Sequence, residues 1–263
     1  MLSCMNWFES IVLGLIQGLT EFLPVSSSGH LEIAKFLFGI DAEASFYFTV
    51  AVHGATVLST IVVFWQEIVT LIKGGLKFRM NEETSYILKI IVSMIPVGIA
   101  GVMFKDQAEA LFSGNMVFVG SMLLVTAAFL FLGHIIRKKD RDITFIDAFI
   151  IGLAQAIAVI PGISRSGATI STGLLLGNSK DKIARFSFLM VLIPVIGANL
   201  LEILSGDINT DKTGTGLILI GFVTAFISGY IACKWMIKLV RNSKLIWFSV
   251  YCLVIAVISI LLR

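Results

Sequence analysis

The sequence predicts an all-α, polytopic membrane protein: six transmembrane helices plus two re-entrant helical hairpins, arranged as an inverted-topology repeat. Three observations lead there. The 263 residues are 57% hydrophobic and only 14% charged, with a mean hydropathy of +0.96, whereas a soluble domain carries about 25% charged residues. Six apolar runs are long enough to cross a bilayer. Two further apolar regions are each broken near the middle by polar, Pro and Gly residues, and they align with one another.

The six runs are Phe46–Phe64, Tyr86–Phe104, Met116–Ile136, Phe186–Leu204, Gly216–Met236 and Leu245–Leu262. A crossing takes roughly 17–25 residues, and a lone strand cannot satisfy its backbone in lipid, so helix is expected throughout. The broken regions are Trp7–Gly39 and Phe145–Gly177. Each limb is about ten to fifteen residues, or roughly 15–22 Å of helix, which is half a membrane. A limb, a polar break and a second limb read as a re-entrant hairpin, tolerated at depth only where it lines protein or a water-filled cavity.

A shift of 138 residues superimposes the two regions without a gap: Gly14 on Gly152, Gln17 on Gln155, Ser26 on Ser164, Ser28 on Ser166, Gly29 on Gly167, Gly39 on Gly177 and Phe48 on Phe186. The chain is therefore read as one integral membrane domain, 1–263, with repeat halves 1–141 and 142–263. Each half holds one hairpin and three spans. An odd number of spans inserts the second copy upside down, the plan of many transporters, so the hairpins should enter from opposite faces and meet near the midplane.

Charge supports that topology. With Arg137–Arg141 placed in the cytoplasm, that side collects Lys73, Lys77, Arg79, Lys89, Arg137, Lys138, Lys139, Arg141, Lys180, Lys182, Arg185, Lys234, Lys238, Arg241 and Lys244, fifteen in all. The other side has four: Lys35, Lys105, Lys212 and Arg263. This is the positive-inside pattern, and it puts both termini and the mouth of the first hairpin outside. The net charge of +3 is too small for a nucleic-acid footprint. Cys4, Cys233 and Cys252 have no metal-ligand spacing and read as small apolar residues. The start of the chain lacks the basic stretch and cleavage site of a signal peptide, so its first apolar segment is expected to remain.

Chemistry concentrates at the two breaks. In the first, Gln17 and Glu21 share a helix face, Pro24 ends the limb, and Ser26, Ser27 and Ser28 precede Gly29 and His30. In the second, Pro161 and Gly162 lead into Ser164, Arg165, Ser166, Gly167 and Thr169. Converging helix N-termini make an anion site. Arg165 adds a planar fork suited to phosphate oxygens. Glu21 and His30 can move protons, and Ser26 and Ser27 supply hydroxyls. Serines before a helix are usually caps and nothing more. Ionisable residues at mid-membrane, however, cost about 2.5–3.5 kcal/mol each even on lenient insertion scales, and Glu21, His30 and Arg165 all fall at breaks. The inventory suits phosphate-ester or anhydride chemistry. His53, in the first span, has two readings: it faces the cavity, or it makes an ordinary helix–helix contact.

At these residues the chain resembles the undecaprenyl-diphosphate phosphatase family, also called bacitracin-resistance proteins. The resemblance rests on Gln17 to Glu21, the Ser-rich turn Ser26 to His30, and Pro161 to Thr169, and the span pattern agrees end to end. Many members carry Glu where this chain has Gln17, so Glu21 becomes the main carboxylate. The resemblance implies a phosphatase of the bacterial cytoplasmic membrane that regenerates the carrier lipid for peptidoglycan synthesis from its diphosphate. It also implies bacitracin resistance, an active site open to the outer side, and assistance by Mg²⁺ or Ca²⁺. Membrane lipids and a second copy of the chain are the other candidate partners.

The roles expected on this reading are as follows. Arg165, Ser164, Ser166 and Thr169 hold the diphosphate. His30 acts as base toward Ser27 or water, or as the nucleophile itself. Glu21 orients His30 or binds the metal, and Gln17 and Ser26 contact phosphate, metal or water. The competing class is a transporter or flippase of a lipid phosphate, which shares the repeat and the midplane anion site.

Overall fold

The computed structural model describes residues 5–40, 45–103, 111, 115–135, 140–197, 214–241 and 245–262. Among these the structure is helical, with one isolated bridge between Arg141 and Asn178 in place of any strand. Lys105, Arg137 to Lys139, Glu202, Asp207, Asp211, Lys212, Lys244 and Arg263 lie outside the described residues.

The first broken region forms α1 (Trp7–Phe22) and α2 (Ser27–Phe38). The second forms α7 (Phe145–Ile157) and α8 (Arg165–Leu175). Between them run α3 (Phe46–Val63), α4 (Trp65–Gly75), α5 (Glu82–Met103) and α6 (Met116–Ile135). After them come α9 (Lys180–Met190), α10 (Thr215–Arg241) and α11 (Leu245–Leu261).

Both hairpins begin and end in the same way, 138 residues apart. Asn6 caps α1 by accepting from Glu9 N at 3.0 Å, while the Glu9 carboxylate accepts from Asn6 N at 2.8 Å. Thr144 and Asp147 close the equivalent box on α7 at 3.1 and 2.8 Å. Each box satisfies two backbone donors that a helix start would otherwise leave unpaired. At the far ends, Gly39 and Gly177 take the left-handed conformation, with φ of 66° and 91°, which a residue with a Cβ adopts only under strain.

Gly14 and Gly152 have a packing reason. A Cβ on Gly14 would collide with Gly221 O, and one on Gly152 with Ser93 O. Thus α1 lies along α10 and α7 along α5 at backbone contact. Gly221 and Gly229 of α10 meet the Phe48 and Phe22 rings in the same close manner. The largest buried cluster sits between hairpins and spans and includes Phe22, Phe64, Phe186 and Phe188. On the outside, Ile91, Ile95 and Ile99 of α5 and Leu219, Val223, Ile227 and Ile231 of α10 form exposed apolar stripes at helical spacing. Such stripes are the surface of a protein solvated by lipid.

Among the described residues, three helices are long and apolar enough to cross a membrane: α5, α6 and Thr215–Val240 of α10, or four if the bent pair α3 and α4 is one span. Two expectations need correction. The run after Phe64 was read as a connection, but it is helix α4, bent 73° from α3. The bend falls at Phe64, whose buried ring packs 6.0 Å from that of Phe188. The run Phe186–Leu204 is expected as one span, but α9 stops at Met190 and a new helical stretch begins after Val191; residues 198–204 of the run lie outside the described residues. Pro194 supplies the cause: it lacks an N–H, and its ring collides with the carbonyl four residues earlier, that of Met190.

Candidate active site

The breaks of the two hairpins touch. Gly162 N donates to Ser28 Oγ at 3.4 Å, and Ser166 Oγ donates to the Leu23 carbonyl at 3.3 Å. A Cβ on Gly29 would lie 3.2 Å from Gly162 Cα, and one on Gly167 would lie 3.4 Å from the Pro24 carbonyl. Shifted by 138 residues, the pair Gly29 and Gly162 becomes Gly167 and Pro24, so the contacts are reciprocal. Ser26 caps α2 through Gly29 N at 3.2 Å, and Ser164 caps α8 through Gly167 N at 3.1 Å. Within each turn the flanking hydroxyls, Ser26 with Ser28 and Ser164 with Ser166, are 3.3 Å apart.

Four charged or polar side chains gather above this junction. Arg165 Nη2 donates to Glu21 Oε1 at 2.5 Å. Ser27 Oγ donates to Glu21 Oε2 at 2.7 Å, and Gln17 Nε2 donates to the same oxygen at 2.9 Å. The pair is largely enclosed, with 26% of the Arg165 side chain and 12% of the Glu21 side chain exposed. Removing either partner would leave a charge buried without compensation. The cavity beside them is lined by the polar Glu21, Arg165 and Ser166 and by the apolar Val57, Phe188 and Leu192. A lining of both kinds suits a charged head on an apolar tail.

The other expected residues fall into two groups. Thr169 belongs to the frame: its Oγ1 donates to the Arg165 carbonyl at 2.8 Å and lies 2.6 Å from Ser187 Oγ, fixing the first turn of α8. Ser164 and Ser26 are buried caps. His30 is turned away from Glu21. Its Nδ1 lies 2.8 Å from the Ser26 carbonyl, which places the proton on Nδ1, and its Nε2 then accepts from the Tyr251 hydroxyl at 2.9 Å. The structure therefore joins His30 to neither Ser27 nor Glu21 by a hydrogen bond. Instead it props Ser26, whose φ of 71° is a strained value for a residue with a side chain.

Thr126 and Thr56 escaped the sequence reading, and His53, open there to two readings, lies beside the cavity carboxylate. Thr126 of α6 accepts from Ser164 N and donates to the Gly162 carbonyl, both at 2.9 Å, and so splints the second break. Thr56 of α3 lies 3.5 Å from Gln17 Nε2. His53 Nε2 lies 3.9 Å from Glu21 Oε2. A signal for the last two was present: Thr49, His53, Thr56 and Thr60 recur at spacings of four, three and four, one polar stripe on an apolar helix. Thr126 stands alone in its span and leaves no such trace.

Fold and site together define a helical membrane protein with a buried carboxylate–guanidinium–serine centre between two paired helix breaks. The chain belongs to the bacitracin resistance protein BacA family, whose profile matches residues 10–258. It is 52% identical over 260 residues to an undecaprenyl-diphosphatase of Bacteroides fragilis, covering 97% of this chain and 98% of the relative. It is 54% identical over 253 residues to the protein of that name from Bacteroides thetaiotaomicron, covering 94% and 96%. At 40% identity over 275 residues it also matches an undecaprenyl-diphosphatase of Methanosphaera stadtmanae, covering 97% of each chain.

Proposed function

We propose that this protein hydrolyses undecaprenyl diphosphate to undecaprenyl phosphate and inorganic phosphate. The observation that carries the reading is the Glu21 carboxylate, held on one oxygen by Arg165 and receiving the Ser27 hydroxyl proton bond on the other. Nucleophile, base and phosphate grip thus share one buried point. The names and coverage of its relatives favour the same substrate.

On this reading Glu21 takes the proton of Ser27 as Ser27 Oγ attacks the terminal phosphorus, and the P–O bond to the inner phosphate breaks. Undecaprenyl phosphate leaves, taking that proton from Glu21 on its departing oxygen; the restored carboxylate takes a proton from water as the water oxygen attacks phosphorus, the P–O bond to Ser27 breaks, and Glu21 returns the proton to Ser27 Oγ as inorganic phosphate departs. Arg165 shifts from Glu21 toward the phosphoryl oxygens and offsets charge developing there. The helix starts capped by Ser26 and Ser164 add backbone N–H donors. His30 acts through Ser26, holding the turn that presents Ser27. The apolar walls receive the start of the prenyl chain.

A divalent cation, Mg²⁺ or Ca²⁺, belongs to this reading. Among the described residues no three His, Cys, Asp or Glu side chains gather, but the buried Gln17 Oε1 has no partner. One carboxylate and one amide oxygen form a sparse protein set, which suits a cation whose remaining positions go to water and diphosphate oxygens. Glu21 and Gln17 would hold it. When bound, the cation supplies positive charge to the diphosphate.

We infer further that six spans, the fourth of them broken at Val191, and two re-entrant hairpins form an inverted repeat in the bacterial cytoplasmic membrane, with the site open outward. The reciprocal contacts at the breaks support this, as do the matching pairs α1 with α10 and α7 with α5. The enzymatic test is phosphate release from undecaprenyl diphosphate by purified protein. Near-wild-type rates for both Glu21→Ala and Arg165→Ala would sink the site assignment.

A further inference from the structure

We propose that His53 is a ligand of the divalent cation at Glu21, and that its nitrogen shifts this site's preference from Ca²⁺ toward Mn²⁺ and similar borderline ions. The proposal rests on the phosphatase reading above and specifies its metal site. The orientation of the ring carries it. His53 Nδ1 lies 2.8 Å from the Thr49 carbonyl, so Nδ1 bears a proton, and in the neutral ring Nε2 carries the lone pair. Metal-binding histidines are typically held in this way, one ring N–H on a backbone carbonyl and the other nitrogen on the ion. Here that lone pair points toward Glu21 Oε2 at 3.9 Å.

A neutral His53 and the Glu21 carboxylate thus face each other as two acceptors, a pair that a cation can join. Arg165 holds the other carboxylate oxygen, Oε1, which leaves Oε2, the acceptor of Ser27 and Gln17, on the His53 side. Two donors each about 2.1 Å from one ion lie roughly 3.0–3.4 Å apart at octahedral or tetrahedral angles. The gap of 3.9 Å therefore closes with a side-chain movement of about 0.5–0.9 Å. The unpartnered Gln17 Oε1 in the same cluster is a second buried acceptor. The set is then one imidazole nitrogen with hard oxygens from Glu21 and Gln17. Imidazole suits later divalent metals, whereas Ca²⁺ takes oxygen ligands almost exclusively.

The test is Mn²⁺ binding to the purified full-length protein in lipid nanodiscs, followed by pulsed electron paramagnetic resonance. Wild-type protein should show nitrogen coupling to bound Mn²⁺, and protein labelled with ¹⁵N only in histidine should show it with the ¹⁵N pattern. The labelling experiment needs no variant, so it holds even if a substitution unfolds the protein. His30→Gln should keep the coupling, and His53→Gln should lose it. His53→Gln should also weaken Mn²⁺ by about 10-fold or more, on the scale of disrupted metal sites, with Ca²⁺ affinity changed by less than about twofold. Bound Mn²⁺ without histidine coupling, coupling that survives His53→Gln, or failure of Mn²⁺ to bind would each overturn the proposal. Phosphate release measured on the same samples separates the two readings: intact release without histidine coupling rejects only the ligand, whereas absent release rejects the phosphatase.

Discussion

Glu21 and Arg165 stand 144 residues apart in the chain, yet a guanidinium nitrogen lies 2.5 Å from a carboxylate oxygen. Each belongs to a different copy of the repeat. The positions that match them by the 138-residue shift are Val159 and Ser27, so the ion pair has no mirror image. The two turns align by this shift, yet the ion pair that joins them does not repeat.

Arg165→Lys should lower phosphate release by about 10²-fold or more, the scale of losing a preorganised donor. A lysine keeps the charge but loses the planar fork. Glu21→Gln should fall as far, because it removes the acceptor of the Ser27 proton. The double variant should be little worse than either single one, since the residues act as a unit. Steady-state phosphate release checks all three.

Ser27→Ala should abolish turnover while the protein still folds, because Ser27 is only part-buried and caps nothing. Rapid quenching of wild-type protein with terminally labelled substrate should trap a phosphoenzyme stable to both acid and hydroxylamine, as a phosphoserine is. An acid-labile adduct would point to histidine and reject Ser27.

Tyr251→Phe should cost about 3- to 10-fold in activity, in line with one hydrogen bond worth about 1 kcal/mol. It removes the donor to His30 Nε2 and leaves the ring's grip on the Ser26 carbonyl intact. His30→Ala should cost more, because the strained Ser26 turn loses its prop. Equal losses for the two variants would reject this role of His30 as the prop of Ser26.

Gly152→Leu should destabilise the protein by at least about 1–3 kcal/mol, the usual cost of overpacking, because the new side chain meets the backbone of α5 at Ser93. Gly216→Ala, at a position with nothing within 4 Å, serves as the control. Thermal unfolding in detergent measures both.

The inverted topology predicts opposite labelling. In a background with Cys4, Cys233 and Cys252 replaced, a cysteine at Phe78 should be blocked to a membrane-impermeant maleimide in intact cells. A cysteine at Leu37 should react. Both side chains are exposed, at 91% and 62%, so a difference reports sidedness and not burial.

How much was legible in advance can be argued residue by residue. The sequence by itself determined the solvent, since the low charge and long apolar runs admit only lipid. It also determined the duplication and the two broken helices, because Pro24, Pro161, the serine caps and the glycines act on the backbone next to them. The capping boxes at Asn6 and Thr144 could have been read in the same way.

Tertiary structure decided the rest. The 138-residue shift shows that the turns are alike. Only the packing of α1 on α10 and α7 on α5 brings them into contact and sets Glu21 against Arg165. It also sends His30 to Tyr251, a residue 221 positions away, and brings His53 and Thr56 in from α3. It draws Thr126 from α6 to hold the second turn. Local rules act over three or four residues of helix, whereas a buried charge selects its partner from whatever the packed helices place within a few ångströms.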